Sequence, residues 1–371
     1  MWGVPTALIC LIGAITFLVL DATNAILNSA DGDLNEVVLD PTAPGYEIYV
    51  SPTPSFLTLV EDRNGNLISV ALISLFPNDT GGSLIVLPPE LLIGEGVTLD
   101  EIYNTQGATG LELAIGEYVN VGFDISSVLT NDFWSDHFSV IGDLVVTIED
   151  PLTISEGGKL NVVFESGRIS VFPEDIGDFL AWRNEGESPY NRWLRHQDFW
   201  VSWVDTVRLF NGDLNESNKG QPELSRMITA LSQGELVLFE PELVELELPK
   251  SSFTTDAKII RNLILQMIPF PIPAYEGARA KVKLLDGIGG LDLPNLYAPP
   301  LVSSGAQILL LGNAESYGVT KTQIIFHDKN FNDLVDDFSN VLGGAEITYD
   351  SISETAIYVT VIIGQNSLEL D

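Results

Sequence analysis

The sequence predicts a mixed α/β protein: an N-terminal membrane helix, a larger domain built on a mixed sheet, and a small βαββαββ C-terminal domain. Three observations predict it. The 371 residues suffice for two separate cores. Hydrophobic residues make up 45% and charged residues 19%, which is a globular balance. After residue 50, strand-like apolar runs alternate with helix-period stretches, and a proline-rich break divides them at 268–279.

The opening residues, "MWGVPTALICLIGAITFLVLDATNA", are uncharged from Trp2 to Leu20. As a helix this run nearly reaches the roughly 20 residues needed to cross a bilayer. Followed by Ala22-Thr23-Asn24-Ala25, it also fits a secretory signal with a small-residue cleavage site. The acids just after it, Asp21, Asp31, Asp33 and Glu36, suit the outer side of a membrane better than the cytoplasmic side. Residues 1–25 are therefore expected as a membrane anchor or signal segment, with single-pass attachment to the cell membrane and the bulk of the chain extracytoplasmic. Residues 26–50, rich in Asp, Asn, Pro and Gly, read as a linker.

Strands come next. "FLTLVED" and "LISVALISLF" flank the turn Asn64-Gly65-Asn66, and "PNDTGG" leads into "SLIVLPPELL". "TLDEIYNTQGATGLELAIGEYVNVGFD" has helical spacing, and strands are expected near "HFSVIG" and "LVVTIED". Pro173-Glu174-Asp175 starts a helix to about Arg183, with proline in the first turn and acids at the positive end of the dipole. The loop "NEGESP" precedes a second helix from about Tyr190 to Phe210, and another helix falls near 254–267. Beyond the proline-rich break, "ARAKVKLLDG", "AQILLLG", "KTQIIFHD", "AEITYD" and "AIYVTVIIG" read as strands, with helices at "LDLPNLYAPPLVSSG" and "NFNDLVDDFSNVLGG". The expected division is 51–268 for the larger domain, 269–278 for a linker and 279–366 for the smaller domain.

Composition narrows the function. Against 17 basic residues stand 52 acidic ones, for a formal net charge of −35. Such a surface repels phosphate backbones and excludes nucleic acid as a partner. Cys10 is the only cysteine, and His137, His196 and His327 are widely spread, so neither a disulfide framework nor a cysteine or histidine metal site is expected.

Against that acidic background one segment stands out. Arg183, Arg192, Arg195 and Arg208 are interleaved with Trp182, Trp193, Trp200 and Trp203 in the stretch around "NEGESPYNRWLRHQDFW". Two readings remain open for the arginines. One is pairing with neighbouring carboxylates such as Glu185, Glu187 and Asp198. The other is binding of an anion, for which guanidinium forks are well shaped. The tryptophans read as core, since aromatics surround most of the helix.

These segments resemble a known pair of domains. Residues 280–366, through "VKLLDGIGG", "LVSSGAQILLLGNAESY", "TQIIFHD", "FSNVLGGAEITYD" and "YVTVIIG", resemble the LytR C-terminal domain of actinobacterial envelope proteins. Pro299-Pro300 departs from that pattern in the first helix. Residues 56–210 resemble a divergent LytR-CpsA-Psr (LCP) domain, through "LISVALISLF…SLIVLPPEL", "TLDEIYNTQGATGLELAIGEYVNVGFD" and "FLAWRNEGESPYNRWLRHQDFW". Active members of that family move glycopolymers from polyprenyl-pyrophosphate carriers to peptidoglycan. By that resemblance Arg183, Arg192 and Arg195 match three of its arginines and become candidate pyrophosphate or anion ligands.

Several family positions are replaced. Pro89 stands for the arginine of the Pro-Arg-Asp motif and Glu90 for its acid. Pro189 stands for an Asp, Asn191 for a Gly and His196 for a Gln, while the strand around Ser69 lacks the metal-binding Asp. Removing one preorganised donor costs about two to three orders of magnitude in rate. The resemblance therefore implies a degenerate domain that binds wall polymer, its lipid carrier or envelope partners. The alternatives are an active phosphotransferase, with Glu90 as a metal ligand or acid and Mg²⁺ or Mn²⁺ as its cofactor, and a purely structural or regulatory partner-binding protein. No catalytic residue is assigned. Outside that reading no cofactor is expected. Among lesser motifs, the glycine-rich "DGIGGLD" lacks nucleotide-loop spacing, and His327-Asp328 has no nucleophile beside it.

Overall fold

The computed structural model describes residues 38–94, 96–214, 222–246, 251–351 and 356–369. The expected anchor or signal at 1–25 and most of the expected linker lie outside these residues. Among the described residues no helix is long and apolar enough to cross a membrane. The chain divides into two compact units, one of Val50–Ala280 with Pro294–Ile308, the other of the residues up to Tyr49 with Lys281–Leu293 and Leu309–Asp371.

Glu47–Tyr49 forms β1, a strand of the smaller unit within the segment expected as linker. In the larger unit β2 (Ser55–Glu61), β3 (Leu67–Leu75) and β4 (Gly81–Leu87) are followed by a short hairpin, β5 (Leu92–Ile93) and β6 (Val97–Thr98). Then come α1 (Leu99–Val119), β7 (Ile125–Leu129), α2 (Asn131–Ile141), β8 (Leu144–Ile148), β9 (Leu152–Glu156), β10 (Lys159–Phe164) and β11 (Gly167–Val171). After these come α3 (Ile176–Ala181), α4 (Pro189–Leu209), α5 (Pro222–Gln233), β12 (Glu235–Phe239), β13 (Val244–Leu246), β14 (Ser252–Thr254) and α6 (Ala257–Met267).

Five strands make the central sheet in the order β12-β4-β3-β2-β7. β2, β3 and β4 are antiparallel neighbours, as the two tight turns require, while β7 and β12 join the edges in parallel. Every residue of β3 is buried, because helices cover both faces and a strand so placed is apolar throughout. At the β4 edge Gly81 has φ +101°, and a Cβ there would sit 2.3 Å from the Glu235 carbonyl oxygen, so the parallel pairing with β12 needs a glycine. One sheet face carries an aromatic core. The Trp134 ring meets those of Phe199, Trp200 and Trp203 edge-on at 5.0, 5.9 and 5.3 Å between centroids. Trp193, Trp200 and Trp203 are thus core, as expected, whereas Trp182 is half-buried against it.

One expectation is corrected here. "HFSVIG" is not a strand but the end of α2. Thr130 caps that helix by accepting the Phe133 N–H at 3.3 Å, and Trp134, His137, Phe138 and Ile141 form its buried face. The apolar spacing of three and four in "FWSDHFSVI" is helical; a window beginning at His137 shows only its alternating tail. The long helix near 99–124 is also interrupted: Gly107, at φ 71° and ψ −170°, breaks the helical path of α1, which ends on Asn120 in the left-handed region.

The remaining elements are β15 (Ala280–Asp286), α7 (Ala298–Ser303), β16 (Ala306–Asn313), β17 (Gln323–Phe326), α8 (Asn332–Val341), β18 (Glu346–Tyr349) and β19 (Val359–Ile363), which is the anticipated βαββαββ order. Five residues of π-helix, Leu293–Tyr297, lead into α7, whose prolines fall in its first turn. The sheet order is β1-β16-β15-β19-β17-β18. Strand β16 alternates buried and half-buried positions along its whole length, the pattern of a sheet with one well-covered face. In the glycine-rich loop after β15, the Asp286 carboxylate accepts the N–H groups of Ile288, Gly289 and Leu291 at 2.7–2.9 Å. Those amides are taken by the chain's own carboxylate. His327 directs Nδ1 at the Asp350 carbonyl, 2.9 Å away, and not at Asp328.

Candidate functional site

The arginine segment is built around α4. Ser188 caps it by accepting the Tyr190 N–H at 3.0 Å, and Pro189 occupies its first turn, where a missing N–H costs nothing. Two indoles fasten the helix to the sheet: Trp193 Nε1 donates to the Val86 carbonyl at 2.7 Å and Trp200 Nε1 to Ser69 Oγ at 3.3 Å. Ser69 is therefore a wholly buried acceptor for an indole. Opposite α4, the turn after β4 is pinned by Leu91 N–H to Pro88 O (3.0 Å), Asp100 N–H to Pro89 O (2.9 Å) and Phe253 N–H to Glu90 O (2.9 Å).

Glu90 and Arg192 face each other across this gap. Arg192 Nη2 donates to Glu90 Oε1, and both side chains are almost wholly buried. Arg183 Nη2 lies 3.9 Å from the same oxygen, but its side chain is 54% exposed. Arg195, also buried, donates from Nη1 to Glu187 and from Nη2 to the Trp182 carbonyl. Burial lowers the pKa of Arg192 and of Arg195, and the carboxylates of Glu90 and Glu187 respectively oppose that shift. Two polar atoms in this network lack a hydrogen bond: Glu90 Oε2 and Arg195 Nε.

The three arginines thus gather in one region, and Arg183 and Arg192 share a carboxylate. They do not open onto one space. Arg183 lines a groove of about 760 Å³ with Ile154, Leu160, Ala181 and Trp182 and with the acids Asp178 and Glu185. Arg195 lines a different cavity, and Arg192 lines neither. His196 is buried, with Nε2–H donating to the Leu180 carbonyl at 2.9 Å. Burial, reinforced by the Arg195 charge, lowers its pKa from 6.5 to about 3, so it is neutral near pH 7 and cannot serve as an acid there.

A divalent cation does not fit at Glu90. Its carboxylate is held by a guanidinium, and among the described residues no three His, Cys, Asp or Glu side chains are grouped as a metal needs. Glu90 was noticed from the sequence as the acid of a motif; its pairing with Arg192, 102 positions away, left no signal in local spacing.

No protein-family profile and no curated protein matches the chain. Solved structures do match. One is TagT bound to LIIa-WTA, at TM-score 0.49 and 13% identity over 64% of this chain and 95% of that one. Another is TagV of B. subtilis, at 0.47 and 13% over 60% and 99%. A third is a transcriptional regulator of Enterococcus faecalis, EF0465, at 0.47 and 11% over 59% and 88%. TagT and TagV are LCP proteins, and the likeness is to an LCP-like fold. With TM-scores below 0.5 it carries no substrate, residue role or activity to this chain.

Proposed function

We propose that this is an exported, membrane-anchored cell-envelope protein whose larger unit is a degenerate LCP domain that binds without turning over, and whose smaller unit is a LytR C-terminal domain. The observation that carries this reading is the neutralisation of two of the three candidate arginines. Arg192 and Arg195 are locked into buried pairs with Glu90 and Glu187, which makes them struts that hold α4 to the β4 turn and to the 184–188 loop. A guanidinium fork already closed on a carboxylate has little left for a diphosphate.

Arg183 keeps the capacity to bind. It is exposed, it stands in a groove that combines the apolar Ile154, Leu160 and Trp182 with the acids Asp178 and Glu185, and its nearest paired carboxylate, that of Glu90, is a long 3.9 Å away. An amphiphile with an anionic head fits that geometry: the apolar part against Ile154, Leu160 and Trp182, the head on Arg183. Wall polymer on its lipid carrier belongs to that class.

Incubating the full chain with a polyprenyl-pyrophosphate oligosaccharide and Mg²⁺ or Mn²⁺ tests the reading. The expected result is retention of the lipid with no release of polyprenyl phosphate or pyrophosphate. Metal-dependent release would establish the phosphotransferase alternative, and no retention at all would leave a purely structural or regulatory partner-binding role.

A further inference from the structure

Among the described residues, strands β9 and β10 pair only with each other. A ribbon of two strands is marginal in water unless it packs against something. Its base does pack: the Phe164 ring meets those of Phe179 and Trp182 edge-on at 5.4 and 6.0 Å between centroids, and Thr153 N–H donates to Asn184 Oδ1 at 2.7 Å. Its far half does not. The last three residues of β9 and every residue of β10 up to Val163 are exposed. Among them Ile154, Leu160, Val162 and Val163 are 40%, 70%, 47% and 44% exposed.

Register places these side chains. Leu160 lies opposite Ser155 and Val162 opposite Thr153, and directly opposed residues share a face, so the two aliphatic side chains stand together. A cluster of exposed aliphatic groups marks a contact surface. Between Leu152 and Phe164 the charged residues are Glu156 and Lys159, opposite one another in the register. The ribbon is therefore neutral in a chain at −35. Two kinds of occupant fit such a surface, a protein and a lipid bilayer. Protein contacts draw most of their energy from Trp, Tyr and Arg, and this stretch has none of them. Strand pairing with a second copy is disfavoured on both edges. A register shift between Val162 and Phe164 interrupts β10, and the Thr153 N–H of β9 is already taken by Asn184. A bilayer answers each feature. Leu, Ile and Val enter hydrocarbon favourably. A neutral ribbon escapes the repulsion that anionic headgroups exert on an acidic chain. Lys159, beside the Gly157-Gly158 turn, can extend its ammonium to headgroup phosphates while its stem stays in the apolar layer.

We infer that the β9–β10 ribbon rests on a lipid bilayer, with Leu160 and Val162 at the boundary between headgroups and acyl chains. From the proposed function this inference takes only that the chain sits at a membrane, and vesicle flotation reads that part separately.

The test labels the full chain with a polarity-sensitive fluorophore at single cysteines, with Cys10→Ser removing the native thiol. The labelled chain is reconstituted in phosphatidylcholine vesicles that contain phosphatidylglycerol and nitroxide-bearing lipid. At Leu160→Cys the label should be quenched about two-fold or more, and at Leu209→Cys, an exposed position at the end of α4, by less than about a tenth. A label at Ser155→Cys, on the face of Leu160, should be quenched too. It should lose that quenching when Leu160→Asp and Val162→Asp are added, with the circular dichroism unchanged. Equal quenching at 160 and 209 would overturn the inference, because general closeness to the surface would then explain it. Quenching at 155 that survives the two aspartates would overturn it as well, since the apolar face would be irrelevant. So would emission at 160 that shifts without quenching and reverts on dilution, which marks a second copy. A chain that floats with the vesicles but shows no quenching at 160 keeps the proposed anchor and loses this inference; one that does not float loses both.

Discussion

In the α4 region, Arg192 and Arg195 each meet a buried carboxylate, whereas Arg279, equally buried, meets only backbone oxygens. Arg279 donates from Nε to the Asn120 carbonyl at 2.8 Å, and from Nη1 to those of Val302 and Ala306 at 2.8 and 3.0 Å. Burial lowers its pKa to about 10, and the nearby positive Arg261 adds to the shift, with no carboxylate to oppose either. The difference teaches what buried arginine is for in this unit. In one place charge is cancelled by charge and the cation becomes a strut; in the other the fork closes three open carbonyls. In both places burial keeps the guanidinium from a visitor, and Arg183 alone of the candidate trio is exposed.

The contrast can be broken most forcefully at Glu90. Glu90→Leu leaves the Arg192 charge buried without its partner and should cost about 3–5 kcal/mol in urea unfolding. Adding Arg192→Leu should restore most of that loss, because an apolar pair of similar volume is often neutral. A double variant as unstable as the single would show that the pair is not what holds the turn. Arg279→Met comes next. Three carbonyls lose their donor, at about 1 kcal/mol each, for roughly 3 kcal/mol in total. Here no second substitution should rescue, since the orphaned groups belong to the backbone.

A smaller effect separates charge from packing within α4. His196 titrates at 6.5 when unfolded and at about 3 when folded, so below pH 6.5 the unfolded chain binds the extra proton. Its contribution is complete above pH 6.5 and is lost as pH falls toward 3, by up to about 1.4 kcal/mol per unit. His196→Gln should flatten that part of the stability profile by one proton; an unchanged slope would mean that the imidazole is not buried neutral. The smallest effect on stability belongs to Arg183→Ala, within about 0.5 kcal/mol as for other exposed positions. The same variant should reduce retention of lipid diphosphate about ten-fold if the groove works as proposed. Unaltered retention would move the anion elsewhere.

Much of this architecture could be read in the sequence, and the reasons are local. Asn64-Gly65-Asn66 and "PNDTGG" mark the turns of an antiparallel meander, and the helix expected from about Tyr190 begins within a residue of that position. The arginine segment declared itself by its contrast with an acidic chain. What escaped was non-local. Glu185 and Asp198 are near neighbours of the arginines in sequence, yet Arg192 takes Glu90, which the sheet brings to it from a different strand end. Of the carboxylates near in sequence, Glu187 is a partner, eight positions from Arg195 across a loop that folds back.

The carbonyls that Arg279 closes have a bearing on how such proteins can be cut and recombined. Val302 and Ala306 lie after the proline-rich stretch, yet they belong with the larger unit, as does the whole of Pro294–Ile308. A protease cleaving between Ile268 and Tyr275 would nick the chain without releasing an intact module. A gene fusion joined at that stretch would carry off a helical turn that its donor still needs. One division between the units falls after Ala280, just past that stretch, but the chain returns to the larger unit at Pro294–Ile308, and a recombination event must respect both.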